Sequence, residues 1–378
     1  MSLARALRQQ SKGCRIVYIG LKGESLAGDL KDRFKVFDEV YTVPAGKFRR
    51  YHGESLLAHL ADVRTIALNV RDLFRVFAGI GHSQKLLRRI MPDVVFSKGG
   101  YVAVPVGLAA VLLRIPIVTH DSDTVPGLAN RIIGRFARLH ATGMPADYYS
   151  YANQTIRYTG IPLDERIRRV DARLQAEYKK KLGFEPGNLV LLAGGAGLGA
   201  KTINDLVINA APDLLESFKQ LEIVHIAGQQ HLGTVTTEYK SLPKDVSSRI
   251  KILGFTPDFY LYSGAADVII TRAGATTIAE LAAQSKAVVL VPAPHLTGGH
   301  QLKNAEELRK MQAAVIVDNN ATPQELAAAV SALLGDKGSR QKLAANLAKL
   351  AKPEAAAKLA ALLLQEAKPE IAEHDAKP

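Results

Sequence analysis

The sequence predicts an α/β protein built from two doubly wound, parallel sheets. Three observations carry that reading. Short apolar runs such as Val94-Val95-Phe96, Leu189–Ala193 and Val268-Ile269-Ile270 are continuous rather than alternating, as suits strands buried on both faces. Helix-length patterns separate the runs, which makes successive strands parallel neighbours. The pattern also restarts near residue 188, after a charged stretch, and 378 residues leave room for two domains of roughly 100–200 residues each. The expected division is 1–163, 164–350, and a C-terminal helix with a disordered tail over 351–378.

Composition narrows the partners. The net charge of +13 and sequence pI of 9.6 call for something anionic: nucleic acid, an anionic membrane surface or a phosphorylated substrate. Trp is absent and aromatics make up 6%, so single-stranded nucleic acid finds little to stack on; no recognition motif supports such a partner. The single cysteine, Cys14, excludes an intrachain disulfide framework and fits a reducing compartment. No apolar run is long enough to span a bilayer, and the first residues lack a secretory core, so a cytoplasmic protein is expected. No Cys/His spacing points to a metal.

The chain begins on an amphipathic helix, MSLARALRQQSKG, followed by the strand CRIVYIG, whereas a doubly wound domain should open on a strand and a Gly-rich loop. A strand at 39–43 leads into the basic loop Lys47–Arg50 and a helical region over about 54–90. There Phe74, Phe77 and Ile80 cannot all share the face of Leu86, Leu87 and Ile90 without a very wide apolar stripe. With Arg75 and neighbouring arginines, they predict an exposed apolar patch ringed by positive charge, suited to an anionic membrane. The strand at 92–97 ends in Lys98-Gly99-Gly100-Tyr101. A helix over 104–113 and a strand over 115–119 then bring His120, Asp121 and Asp123 to a strand's C-terminal end, where open α/β sheets bind ligands.

The stretch 164–185 reads as a linking helix. Beyond it, the strand 188–193 runs into Gly194-Gly195-Ala196-Gly197-Leu198-Gly199 and a helix over 202–215. Glycines there let backbone approach a phosphate at a helix N-terminus. Strands at 223–227 and 251–253 precede the loop around Phe255 and Thr256. In the unit 265–292, the strand Val268–Ile270 stops at Thr271-Arg272-Ala273-Gly274, where Gly274 is expected to supply a turn geometry that a larger residue would resist. The next helix offers the unpaired N–H groups of its first turn, around Ala275, Thr276 and Thr277, to an anion. Glu280, further along, can accept a pair of hydroxyl hydrogens, as from a ribose. His300 and Gln301 follow a polar loop and suit sugar hydroxyls.

Taken together, MPDVVFSKGGYVAVPVGLAA, VTHDSDTVPGLANRIIGRFA, LLAGGAGLGAKTIN and ADVIITRAGATTIAELAA with HQLKNA resemble the MurG family, over about 3–350. The resemblance implies the GT-B architecture, two Rossmann-like domains facing a cleft. It implies an inverting transferase that moves N-acetylglucosamine from UDP-GlcNAc to undecaprenyl-pyrophosphoryl-MurNAc-pentapeptide (lipid I), forming lipid II for peptidoglycan. No cofactor is obligatory. The implied setting is the cytoplasmic face of the cell membrane, peripherally bound, beside other cell-wall synthesis proteins. Residue by residue, Glu280 would bind the ribose, Gly274, Ala275, Thr276 and Thr277 would hold the diphosphate, and Arg272 would belong to the same UDP-GlcNAc site. The loop Gly194, Gly195, Ala196, Gly197 would border the same phosphates, and Phe255 with Thr256 would frame the uracil. His300 and Gln301 would read the sugar. Gly99, Gly100 and Tyr101 would face the acceptor, with His120, Asp121 or Asp123 as base, and the region of Phe74, Arg75, Phe77 and Ile80 would meet the membrane.

Five departures qualify the resemblance. The family's first strand and its loop, GGTGGH or similar, have no counterpart, because Met1 falls inside the helix that should follow them. The family's Asn-Pro-Val-Arg is Ile161-Pro162-Leu163-Asp164, and its His-Glu-X-Asn is His120-Asp121-Ser122-Asp123. The first of its paired glutamines is His300, and the second Gly loop is one residue longer. Two other readings therefore stay open: a non-catalytic or partner-dependent UDP-sugar binder, and a GT-B glycolipid synthase acting on another lipid.

Overall fold

The computed structural model describes residues 1–23, 36–46, 63–194, 200–294 and 299–367. The expectations for Lys47–Arg50, for Gly195, Ala196 and Gly197 with the rest of that loop, and for the tail after Pro369 lie outside those residues. The chain divides into two compact units, Met1–Asp164 with Glu354–Pro378, and Glu165–Pro353.

Among the described residues the second unit holds six parallel strands: β7 (Leu189–Gly194), β8 (Leu221–Ile226), β9 (Ile250–Leu253), β10 (Val268–Thr271), β11 (Val288–Leu290) and β12 (Val315–Ile316). Their order is β9-β8-β7-β10-β11-β12, which reverses direction between β7 and β10. Both faces are covered, and the strand residues alternate between the two layers. Leu191, Ile223, Val268 and Ile270 pack under helices Lys201–Ser217 and Pro323–Gly335. Val190, Leu192, Val224 and Ile269 instead meet Ile278, Leu281 and Leu308 of helices Ala275–Gln284 and His300–Lys310. This two-sided burial is why the runs read as continuous apolar sequence.

The first unit carries two hydrogen-bonded sets of parallel strands. Among the described residues, β1 (Val17–Leu21) pairs only with β2 (Glu39–Val43), while β3 (Val95–Ser97), β4 (Ile117–Asp121), β5 (Leu139–Thr142) and β6 (Ile156–Tyr158) follow in order. The sets share one core: Val17, Ile19 and Val95 pack with Leu86 and Ile90 of the long helix Val63–Ile90 and with Val106 of helix Ala103–Leu112. The C-terminal helix Ala355–Glu366 returns to this unit. Its Leu363 is buried with Val118 and Leu139, beside Leu3 and Leu7 of the first helix, Ser2–Gln10. An Arg138–Glu366 ion pair of 2.9 Å and a Gln10-to-Ala357 hydrogen bond close the contact.

Two expectations change. The stretch 164–185 is helical only over Ala172–Leu182, because the Asp171 side chain caps the helix by accepting from the Leu174 N–H at 2.8 Å. Strands β5, β6 and β12 were not foreseen: His140, Thr142 and Arg157 interrupt the apolar run in β5 and β6, and β12 is only two residues long.

Candidate active site

In the second unit the sheet order reverses between β7 and β10, and open α/β sheets bind ligands beyond the strand ends at such a point. Gly194 and Thr271, the last residues of those two strands, stand opposite each other in register. Beyond Thr271 the helix Ala275–Gln284 begins with no side-chain cap and no acidic residue in its first turn, an end whose N–H groups and dipole suit an anion. Gly274 is not a strained turn residue: its φ is −76°, and an added Cβ would meet nothing within 4 Å. What the glycine supplies is bare space at the helix end. Thr276 is exposed, while Thr277 and Glu280 are half-buried on the same helix.

Three neighbours are more structural than their motif suggested. Arg272 spends Nη1 on Val291 O (2.8 Å) and Asn319 Oδ1 (2.7 Å), tying the ends of β10 and β11 to the loop after β12. Burial lowers the pKa of its guanidinium. Gln301 is buried and accepts from the Ala293 N–H at 2.9 Å through Oε1. Asn304, one helical turn on, donates to Ala273 O at 2.9 Å and so fixes the Thr271–Gly274 turn. His300 is the first residue of its helix, after Gly299 in the left-handed region. Phe255 is 62% exposed, and Thr256 Oγ1 accepts from the Asp258 N–H at 3.1 Å, shaping the loop between them.

In the first unit the ends of β3 and β4 meet. Gly99 and Gly100 both have positive φ, +86° and +83°, so Lys98–Tyr101 turns in a way that other residues resist. Tyr101 is partly exposed above it. Next door, the three titratable residues of β4 and its turn have distinct roles. His120 is buried, with Nε2 donating to Gly160 O at 2.9 Å; burial holds its pKa down to about 4, so it stays neutral. Asp121 is buried too, and both its oxygens are engaged: Oδ1 by Asn130 Nδ2 (2.9 Å), Oδ2 by the Tyr151 hydroxyl (3.0 Å). Burial raises its pKa against the pull of those donors. Asp123 is half-buried, with its backbone carbonyl held by the Tyr149 hydroxyl at 3.0 Å. Lys98 is its cationic neighbour: burial lowers the Lys98 pKa and Asp123 pulls it back up. Sequence reasoning missed Lys98, Asn130, Tyr149 and Tyr151; the only signal was their nearness to Gly99 and to a cluster of tyrosines.

Family models match both units: the glycosyltransferase family 28 N-terminal domain over residues 1–142 and the C-terminal domain over 189–359. A curated protein of Halothermothrix orenii, a UDP-N-acetylglucosamine–N-acetylmuramyl-(pentapeptide) pyrophosphoryl-undecaprenol N-acetylglucosamine transferase, is 33% identical over 94% of this chain and 91% of its own length. The chain belongs to the MurG family. A Burkholderia thailandensis protein of the same name is 32% identical over 93% of this chain and 89% of its own. The crystal structure of Acinetobacter baumannii MurG superposes with a TM-score of 0.69 at 26% identity, covering 96% of this chain and 94% of that one. A Staphylococcus aureus MnaA–UDP structure shares the fold at a TM-score of 0.63 and 13% identity. The family's GT-B fold is therefore the fold of this chain.

The remaining feature is the solvent face of helix Val63–Ile90. Val70, Leu73, Phe74 and Phe77 are exposed, with Phe74 at 70% and Phe77 at 63%, in an i, i+3, i+4, i+7 stripe. Ile80 at its end is half-buried, and Arg75 is exposed beside it. The opposite face buries Val76, Leu86, Leu87 and Ile90. The helix's one acidic residue, Asp72, is buried and paired at 3.3 Å with both Arg71 and Arg75. Among the described residues, no helix is long and apolar enough to cross a membrane.

Proposed function

We propose that this protein transfers N-acetylglucosamine from UDP-GlcNAc to lipid I, forming lipid II, while bound peripherally to an anionic membrane surface. The observation that carries the donor side is the uncapped helix Ala275–Gln284 at the reversal point of the sheet, with Glu280 on the same helix. The diphosphate of UDP would lie on that N-terminus and the ribose hydroxyls on Glu280. As the bond between the anomeric carbon and the UDP oxygen breaks, charge develops on the diphosphate, and the helix dipole and backbone N–H groups stabilise it without an obligatory metal.

The acceptor hydroxyl attacks from the opposite face, which inverts the anomeric centre, and a base removes its proton. Asp123 is the carboxylate fitted to that task, since it is half-buried where Asp121 and His120 are both buried within the fold. Lys98 beside it adds positive charge where the acceptor's pyrophosphate would lie. The apolar stripe on helix Val63–Ile90 would enter the membrane that carries the acceptor. Residues 1–164 supply the charge to match, with 23 Lys and Arg against 13 Asp and Glu.

The test is transfer of radiolabelled GlcNAc to lipid I, set against diacylglycerol. Labelled lipid II is the expected product. Label on diacylglycerol alone would point to a glycolipid synthase, and UDP-GlcNAc binding without transfer to a non-catalytic relative.

A further inference from the structure

We propose that Asn130 is a positioning residue that locks the Gly99-Gly100-Tyr101 loop to the His120–Asp123 turn, so that the acceptor meets one rigid surface. The inference rests on the reading of these two segments as the acceptor side. Asn130 lies on the short helix Leu128–Ile133 and is 1% exposed. Its side-chain amide is fully used. Oδ1 accepts from Ser97 Oγ at 3.2 Å, and Nδ2 donates to His120 O at 3.0 Å and to Asp121 Oδ1 at 2.9 Å. Ser97 Oγ in turn accepts from the Gly99 N–H at 3.1 Å.

The chain of contacts therefore runs from the glycine loop, through Ser97 and Asn130, to the backbone and side chain that precede Asp123. Two consecutive glycines have no side chains with which to hold their own loop, and their positive φ makes it dependent on outside anchors. Asparagine alone suits the place. Aspartate of the same shape lacks both donors and would set a second carboxyl against Asp121, and alanine leaves all three partners without their bond. A buried, satisfied asparagine is often only structural. This one differs in that its partners sit at the C-terminal ends of two adjacent strands, in the two segments assigned to the acceptor.

The full chain is compared with Asn130→Ala, Asn130→Asp and Ser97→Ala, the last cutting the link to the loop at almost no cost in volume. Steady-state transfer should show the KM for lipid I raised by about 10–100-fold, since small misplacements of bound groups cost that much, with the KM for UDP-GlcNAc within about twofold of wild type. Amide hydrogen exchange should speed up over residues 97–101 in Asn130→Ala and Ser97→Ala, and stay unchanged over 266–284. Equal rises in both KM values, or unchanged exchange over 97–101, would overturn the proposal. If the wild-type chain makes no lipid II, the function is wrong, and the exchange measurement still decides whether Asn130 holds the loop.

Discussion

Asp121 and Asp123 are two positions apart and chemically opposite. Asp121 is a buried carboxylate whose oxygens are spent on Asn130 and Tyr151, whereas Asp123 is half-buried beside Lys98. Asp123→Asn keeps the size but removes the proton acceptor, so kcat for transfer should fall by about 10²–10⁴ with the KM for UDP-GlcNAc unchanged. Full turnover by that variant would remove Asp123 as the base. On the donor side, Glu280→Ala removes charge-assisted hydrogen bonds worth about 1.5–3 kcal/mol each. The KM for UDP-GlcNAc should rise about 10–100-fold while that for lipid I stays put; a variant with normal donor KM would place the ribose elsewhere. The type of residue at these positions was legible in the motifs, but its state was not. Burial and hydrogen-bond partners separate Asp121, Asp123 and His120, and both come from residues distant in sequence, such as Gly160 and Tyr151.

The C-terminal helix Ala355–Glu366 was readable as a helix from its Ala, Leu and Lys spacing, but its destination was not. An apolar stripe says that a face will be buried and leaves open against what. It lies on the first helix and on β4 and β5 through Leu363, which is 4% exposed, and Leu362. Leu363→Ala should destabilise the first unit by about 2–5 kcal/mol through lost burial and the cavity left behind. Urea unfolding followed by a probe in residues 1–164 checks this; a change under about 0.5 kcal/mol would mean the helix contributes little there. The long helix Val63–Ile90 is the opposite case. Its stripe at 70, 73, 74 and 77 faces solvent, as its mismatch with Leu86, Leu87 and Ile90 foretold. Phe74→Ser with Phe77→Ser should weaken binding to anionic-lipid vesicles by at least about tenfold, since burying each phenylalanine is worth about 1.5–3 kcal/mol. Raising salt should weaken the wild type further by screening its arginines. Unchanged vesicle binding by the double variant would move the membrane contact off this helix.

At the scale of the molecule, buried histidines in both units set a common pH limit. Burial holds the pKa values of His120, His140 and His225 down to about 4, against 6.5 when unfolded. Between those values the unfolded chain takes up protons that the folded chain refuses, so stability is lost as pH falls from 6.5 toward 4 and is insensitive to these groups above 6.5. Asp121, whose folded pKa is raised, works the other way: its contribution is present at low pH and lost as pH rises through that value. Three histidines outweigh one carboxyl, and the urea midpoint at pH 4.5 should lie well below that at pH 7. Equal midpoints would mean that the histidines are charged in the folded state.

The sequence by itself determined the parallel α/β class, the division into two Rossmann-like halves, the helix that starts after Gly274 and the outward stripe on the long helix. Each of those is a local pattern: a continuous apolar run, a glycine before a helix, or a period of 3.6. Only the tertiary structure decided that β7 and β10 flank the reversal of the sheet, that Gly274 supplies space rather than strain, and that the last helix belongs to the first unit. It also decided that Asn130 joins β3 to β4. Those facts depend on which elements become neighbours. Burial and hydrogen bonding fix that choice across tens to hundreds of residues, beyond the reach of any local pattern.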